Sequence, residues 1–399
     1  MNDALTPGEA ATAILARVSL LPLETCPLQQ CTGRILGEDV YAERDNPPFD
    51  RVCMDGAAVA SGAVGAGIRQ FRLQGTLAAG AVPFALAGED SAIEIMTGAV
   101  LPPGTDCVIP LEEYALTDGV LTLSPEAIAE PGRSVQRRGS DSQPGVPMLR
   151  KGTRLAAAEV ATVASAGLAA VKVARQPRIM VISTGDELVE PGAPIAAHQV
   201  RRSNAYGVVA ALQEHGFRSV DNDHLRDEQA LLRRRLAEHL TAQDVLVLSG
   251  GVSKGKFDFV PSTLKELGVT EVFYQVAQRP GRPMWFGVGA QGQLVFGLPG
   301  NPVSTLICLV RYVIPALNAA MAARPRGVQR VALAAPVSGR RMTYFMPVAV
   351  QLEGRALATP CPPSGSGDFL ALAGTDGFIE LPPRPEGYPE GFIADYHRW

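Results

Sequence analysis

The sequence predicts a multi-domain chain of α/β and β units, built around a central, doubly wound α/β domain at residues 176–324. Two observations predict it. Three apolar runs, RIMVIS (178–183), DVLVLS (244–249) and QLVFGL (293–298), lead into the Gly-rich loops ISTGDEL (182–188), SGGVSKG (249–255) and GLPGNPVS (297–304). Runs this apolar suit strands buried on both faces. Segments with helical signals separate them, and alternating strand and helix is the pattern of a parallel sheet. The three loops then meet at the carboxyl edge of one parallel sheet, where open α/β sheets collect ligand-binding groups.

The flanking elements can be taken in chain order. Thr6-Pro7-Gly8-Glu9 reads as a capping box opening a helix whose Ile14, Leu15, Val18 and Leu21 face a core. Residues 46–144 turn Gly- and Pro-rich around short strands such as AIEIM (92–96) and DCVIP (106–110), which predicts an inserted β-rich module. The helix AAAEVATVASAGL (156–168) and the strand AAVKVAR come next, so residues 1–45 and 145–175 make one split helical domain. In the central unit Ser203 is the expected N-cap of a helix to His215, stopped by Gly216. Asp227 is the expected cap of 227–240, with Leu231, Leu232, Leu236 and Leu240 on one face and Arg233, Arg234 and Arg235 on a solvated one. Asn301-Pro302 supplies an N-cap and N1 proline for an apolar helix to Met321. The last segment, 325–399, has ten prolines among short alternating runs and predicts a small β-barrel or sandwich.

Composition narrows the function classes. The chain has 399 residues, 46% of them hydrophobic, ample for several cores. A net charge of −4 argues against general affinity for nucleic acid or anionic membrane, so a small-molecule partner is expected. The start MNDALTPGEA lacks a signal-peptide layout, and no run approaches the ~20 apolar residues of a membrane span, so a cytoplasmic location is expected. Cys26, Cys31, Cys53, Cys107, Cys308 and Cys361 form no C-x-x-C pair, and the five histidines form no metal-binding motif.

Two single-motif readings of the second loop compete. Gly250 to Phe257 fits G-x-x-x-x-G-K, but Phe257 stands where a P-loop needs a hydroxyl for magnesium. Gly251 to Gly255 fits a G-x-S-x-G nucleophile elbow around Ser253, but its hydrolase chemistry needs a later acid and histidine, and the only later histidine is His397. The remaining chemistry favours phosphate. Asp186, Glu187, Asp227 and Asp258 fall just past the predicted strands, and carboxylates are the hard oxygen ligands Mg²⁺ takes beside phosphate. An isolated acid in such a turn is as often a helix cap, and the shared edge is what favours a site. The glycines of SGGVS and PGNP let backbone N–H groups approach an anion, and Arg279 and Arg282 in RPGRP add two forked donors.

Together CMDGAA (53–58), IMTGA (95–99), RRGSD (137–141), STGDEL (183–188), SGGVS (249–253), RPGRP (279–283) and GLPGNPVS (297–304), in this order, resemble the molybdopterin molybdenumtransferases, relatives of the gephyrin E domain. The resemblance implies a molybdopterin-binding central domain and an enzyme that takes adenylylated molybdopterin and molybdate, uses Mg²⁺, inserts molybdenum and releases AMP. It implies a homodimer whose site joins the α/β domain of one subunit to N-terminal residues of the other, with contact to a molybdopterin adenylyltransferase. By position, Asp55, Thr97, Glu187, Asp227 and Asp258 would be catalytic, the last three also holding metal. Asp141, Thr184, Gly185, Asn204, Ser249, Gly250, Gly251, Ser253, Arg279, Arg282, Pro299, Gly300, Asn301, Pro302 and Ser366 would bind substrate.

Most of the departures at the sheet edge add positive charge. Arg279 and Arg282 replace the family's lysines, Arg202 replaces an acid before Ser203-Asn204, and Lys254-Gly255-Lys256 comes directly after SGGVS. Met346 stands where an arginine is expected, with Arg340 and Arg341 just upstream. Arg202, Lys254, Lys256, Arg279 and Arg282 are therefore expected to strengthen anion binding at the strand ends. A non-catalytic pterin-binding or scaffold paralogue is the alternative.

Overall fold

The structure, a computed structural model, describes residues 4–251, 259–325, 327–365 and 367–399. Its first helix, Pro7–Leu15, opens on the expected capping box: the Thr6 side chain accepts from the Glu9 N–H and Glu9 accepts from the Thr6 N–H. The helix stops at Leu15, which is exposed, while Ile14 is buried and Val18 and Leu21 pack on the core from the next segment. Leu23–Pro27 pairs antiparallel with Ala170–Ala174, so the two sequence halves of this unit close on each other around an inserted module. That module is a six-stranded sheet in the spatial order Cys107–Pro110, Gly56–Val59, Ser91–Ile95, Gln70–Leu77, Val120–Leu123, Tyr114–Thr117.

The central sheet has strands β1 (Ile179–Thr184), β2 (Val220–Leu225), β3 (Val245–Ser249), β4 (Thr270–Tyr274), β5 (Trp285–Val288) and β6 (Leu294–Leu298), ordered β2-β1-β3-β6-β5-β4. β2, β1, β3 and β6 are parallel, so the three strands read from sequence do share one direction. β5 runs antiparallel to β6 and β4 antiparallel to β5, making the whole sheet mixed. Alternate residues of each strand enter opposite cores. Ile179, Val181, Val245 and Val247 pack with Val208, Leu212, Val303 and Leu317 from helices α1 (Ser203–Glu214) and α4 (Pro302–Ala320). Met180, Ile182, Leu246 and Leu248 pack with Leu232, Leu236 and Leu264 from α2 (Gln229–Ala242) and α3 (Val260–Glu266). Each such side chain contributes about 1.5–3 kcal/mol by burial, which fixes the strand register and with it the loop positions.

Three details differ from the sequence expectations. The N-cap of α1 is Arg202 and Ser203 is its first helical residue. α2 is preceded by Glu228, not Asp227, at its N-cap, because Asp227 is drawn toward the end of β1: its N–H donates to Asp186 Oδ1 at 3.4 Å. Arg235 is no bystander on a solvated face either, since it pairs with Asp223 on β2. α4 carries a π-helical segment, Leu309–Val313, in mid-course. By length and composition α4 alone among the described residues' helices could cross a membrane, but it is mostly buried as a core helix.

In the C-terminal unit Thr343–Gln351, Leu357–Pro360, Gln329–Leu333, Ile393–Arg398 and Gly377–Leu381 close into a five-stranded barrel. The short strand Gln278–Arg279 of the central domain pairs onto its Thr343–Tyr344 edge. Met346 points into the barrel core, 4% exposed, rather than toward a ligand.

Candidate functional site

The parallel strands β1, β3 and β6 deliver their loops to one point, and glycine is what lets them touch. Gly250 and Gly251 have φ of +92° and +64°. A Cβ on Gly250 would lie 2.9 Å from the Thr184 carbonyl oxygen, and one on Gly251 2.5 Å from Thr184 Oγ1. Gly300 faces Gly250, with 3.6 Å between its would-be Cβ and the Gly250 Cα. Asn204, in the first turn of α1, ties the loops together: its Nδ2 donates to Ser249 Oγ at 3.0 Å and to the Gly300 carbonyl at 2.7 Å. Thr305 Oγ1 donates to the Pro299 carbonyl at 2.6 Å and fixes the turn that opens α4 at Asn301-Pro302. The structure thus brings together Thr184, Gly185, Asn204, Ser249, Gly250, Gly251, Pro299, Gly300, Asn301 and Pro302. Thr184 Oγ1 and Asn204 Oδ1 are buried there with no hydrogen-bond partner among the described residues. A buried polar atom left unmatched costs about 1–3 kcal/mol, so two at one strand edge mark a place built for a polar ligand.

The acids of the first loop share this edge. Gly185 N–H donates to the Leu225 carbonyl at 3.3 Å, joining the ends of β1 and β2, and His224 Nε2 donates to the Gly185 carbonyl at 2.9 Å. The Glu187 carboxylate folds back over Gly185, where a Cβ would meet it at 2.4 Å. The Asp227 N–H donates to Asp186 Oδ1, which joins the loops after β1 and β2. The carboxylate oxygens of these acids are of the kind Mg²⁺ takes, so the donor chemistry fits. Among the described residues no group of three His, Cys, Asp or Glu side chains is assembled for a metal. Asp258, the third acid of the expected set, lies outside the described residues, as do Ser253, Lys254, Lys256 and Ser366. Phe369, three residues beyond Ser366, packs into the core formed by α1 and α4 and comes within 3.2 Å of a would-be Cβ on Gly207, so this C-terminal loop reaches the central domain.

Arg279 and Arg282 are exposed on a turn that packs against the first turns of α4, with a Cβ on Gly281 3.8 Å from the Ser304 carbonyl. Arg202 behaves otherwise. It is 5% exposed, pairs with Glu190 at 2.6 Å, donates to Asn222 Oδ1 at 2.8 Å and lies over the Tyr206 ring. Its charge is spent within the protein, which corrects the expectation that it strengthens anion binding at the strand ends. Sequence offered no signal for this, because Glu190 and Asn222 lie on separate elements. The histidine of the hydrolase reading is also engaged: His397 contacts Glu380 at 3.3 Å and stacks on Phe378 in the barrel.

Asp55 and Thr97 meet at one end of the inserted module, while Asp141 lies beside the Arg51–Gln136 pair. Asp55 Oδ1 accepts from the Thr97 N–H at 2.6 Å and from Thr97 Oγ1 at 2.7 Å. The backbone hydrogen bond, then the hydroxyl, hold the Asp55 carboxyl below its ordinary pKa and keep it ionised. Asp141 accepts from Gln136 Nε2 at 2.7 Å, and Gln136 in turn sits opposite Arg51 on the neighbouring strand. The hydrogen bonds of all three acidic and hydroxyl groups stay within the module.

A Gly nest at the carboxyl edge of a parallel sheet, flanked by a split helical unit, an inserted β module and a terminal barrel, defines a multi-domain α/β protein for an anionic small molecule. Comparison with known proteins makes the class specific. Residues 5–167 match the MoeA N-terminal region (domain I and II), 180–319 the probable molybdopterin binding domain, and 330–399 the MoeA C-terminal region (domain IV). A molybdopterin molybdenumtransferase of Synechocystis is 40% identical over 92% of this chain and 93% of its own, and one of Bacillus subtilis is 31% identical over 92% and 88%. A molybdopterin biosynthesis MoeA protein of Pyrococcus horikoshii superposes with a TM-score of 0.81 at 32% identity, over 99% of both chains. The chain belongs to the molybdopterin molybdenumtransferase family, and it is a transferase of molybdenum cofactor biosynthesis.

Proposed function

We propose that the protein inserts molybdenum from molybdate into adenylylated molybdopterin, with Mg²⁺, and releases AMP. The observation that carries this reading is the nest of Thr184–Gly185, Ser249–Gly251 and Pro299–Asn301 around Asn204, with buried oxygens unmatched among the described residues and backbone N–H groups at a helix start. Such an edge suits a phosphate-bearing pterin. Glu187, Asp227 and Asp258 would hold the metal, which when bound supplies charge neutralisation as the phosphoanhydride breaks. Arg279 and Arg282, exposed on their turn, would clamp the molybdate oxygens by their planar forks.

The working form in this reading is a homodimer in the cytoplasm, with Asp55, Thr97 and Asp141 of one copy completing the nest of the other. Their exposure on the inserted module supports it. Delivery of the labile adenylylated substrate by direct contact with its adenylyltransferase belongs to the same reading. The test is to supply adenylylated molybdopterin, molybdate and Mg²⁺ to the pure protein and measure AMP together with cofactor able to activate an apo-molybdoenzyme. Both products are expected, and chelation of Mg²⁺ should suppress them. Binding of the pterin without either product would leave a non-catalytic paralogue.

A further inference from the structure

The turn Arg279-Pro-Gly-Arg282 rests on a small polar cluster inside an otherwise apolar core. Gln278 is 1% exposed, and its Nε2 donates to the Gly281 carbonyl at 3.1 Å and the Pro280 carbonyl at 3.3 Å while contacting Cys308 Sγ at 3.4 Å. Its Oε1 accepts from the Tyr312 hydroxyl, which is itself buried. Gly281 has φ of +91°, and a Cβ there would lie 2.7 Å from both Cys308 Sγ and Gln278 Nε2. Tyr312 belongs to the π segment Leu309–Val313. One extra residue in a helix rotates the face presented by the later turns by about 100°. The same bulge aims Arg311 at Glu380, 2.7 Å away on the barrel strand Gly377–Leu381, which pairs with the same strand, Thr343–Gln351, that Gln278–Arg279 joins.

We propose that Gln278 and Tyr312 are positioning residues for the arginine turn: the π bulge holds the turn's carbonyls inward through Gln278, which keeps both guanidinium groups outward. This rests on the reading of Arg279 and Arg282 as the oxyanion clamp. A buried Gln–Tyr pair is a costly way to fill a core, and replacing both by apolar groups is often neutral or stabilising. Here the amide donates to the turn's own carbonyls, so its bonds set the conformation of the turn as well as filling the core. Burial raises the Tyr312 phenol above its ordinary pKa, so it stays a donor to Gln278 across the usable pH range.

Calorimetric titration of the full-length protein with tungstate and with molybdate tests this, alongside steady-state turnover. Arg282→Ala should remove most of the binding. Tyr312→Phe should weaken binding about five- to tenfold, the worth of one hydrogen bond, and raise KM for molybdate with kcat little changed. The double variant Gln278→Leu/Tyr312→Phe removes the donor to the Pro280 and Gly281 carbonyls, so it should unfold somewhat below the wild-type temperature while staying folded under assay conditions, and should bind weakly. Wild-type affinity in a well-folded double variant, or in Tyr312→Phe itself, would overturn the positioning role while leaving the clamp in place. Equal affinity in wild type and Arg282→Ala, or no binding by wild type, would instead remove the clamp and the proposal with it.

Discussion

The carboxyl edge of the central sheet and the Asp55 end of the inserted module carry family motifs of similar length, yet they are built in opposite ways. At the sheet edge Thr184 and Ser249 are 4% and 3% exposed, three loops are in backbone contact, and Asn204 bonds two of them. At the module's end Asp55 and Thr97 stand in solvent and bond each other. The first is a cradle finished by one chain's packing. The second is a preformed pair of polar groups displayed outward, with the Asp55 orientation fixed in advance by two donors at the cost of little else. In the homodimer proposed above, docking the second edge of one copy on the first edge of the other would complete the site.

Substitutions should separate the two kinds of construction. Gly251→Val is expected to have the largest effect, lowering activity more than about a hundredfold, because a side chain at this φ collides with Thr184 as well as straining the backbone. Gly119→Ala in the inserted module also has positive φ, but with open space around it, and should cost only about 1 kcal/mol with activity retained. Steady-state assay and thermal unfolding of the pair check this. Equal losses would mean that close approach at Gly251 does not matter.

Asp244 should matter for stability rather than chemistry. It accepts from Arg175 at 2.8 and 3.0 Å and from Arg178 at 3.1 Å, fastening the split helical unit to the start of β3. Asp244→Asn should destabilise by about 2–4 kcal/mol by denaturant unfolding. Burial alone would raise the Asp244 pKa, but the bonds from Arg175 and Arg178 outweigh it and hold it well below the usual range. Because the folded value is the depressed one, the stabilisation is complete above about pH 4 and is lost as pH falls below it. The asparagine variant should lack this acid-side loss.

At the exposed end, Asp55→Asn should lower turnover about tenfold or more with an unfolding transition close to wild type, since its partners are solvated. Thr97→Ala should cost less, about two- to fivefold, because the backbone N–H bond to Asp55 remains. The smallest expected effect is ionic: oxyanion affinity should fall a few-fold between low and physiological salt, as exposed Arg279 and Arg282 are screened. Lack of any salt dependence would take the exposed arginines out of binding.

Much of this was legible in the chain. The apolar runs ending in glycine locate β1, β3 and β6, because doubly buried strands have no polar alternation to obscure them. The Thr6–Glu9 box and Asn301-Pro302 mark helix starts by local chemistry alone. β2 was hidden, since VDNDHL at a sheet edge carries three polar residues that find partners elsewhere: Asp223 with Arg235 and His239, Asn222 with Arg202, and His224 with Gly185. The inward turn of Arg202, the pull of Asp227 toward Asp186, and the Gln278–Tyr312 pair are contacts between distant segments, and no spacing in the sequence encodes them.

The claim that the two edges form one site is tested most directly by mixing two inactive variants, Asp55→Ala and Glu187→Ala, under conditions that let subunits exchange. Release of AMP and formation of active cofactor are then measured. A hybrid dimer would carry one site with both wild-type edges, so the mixture should regain up to about a quarter of wild-type activity for random exchange of equal amounts. If exchange is verified and the mixture stays as inactive as its components, Asp55 and Glu187 do not meet across subunits, and the shared-site account is wrong.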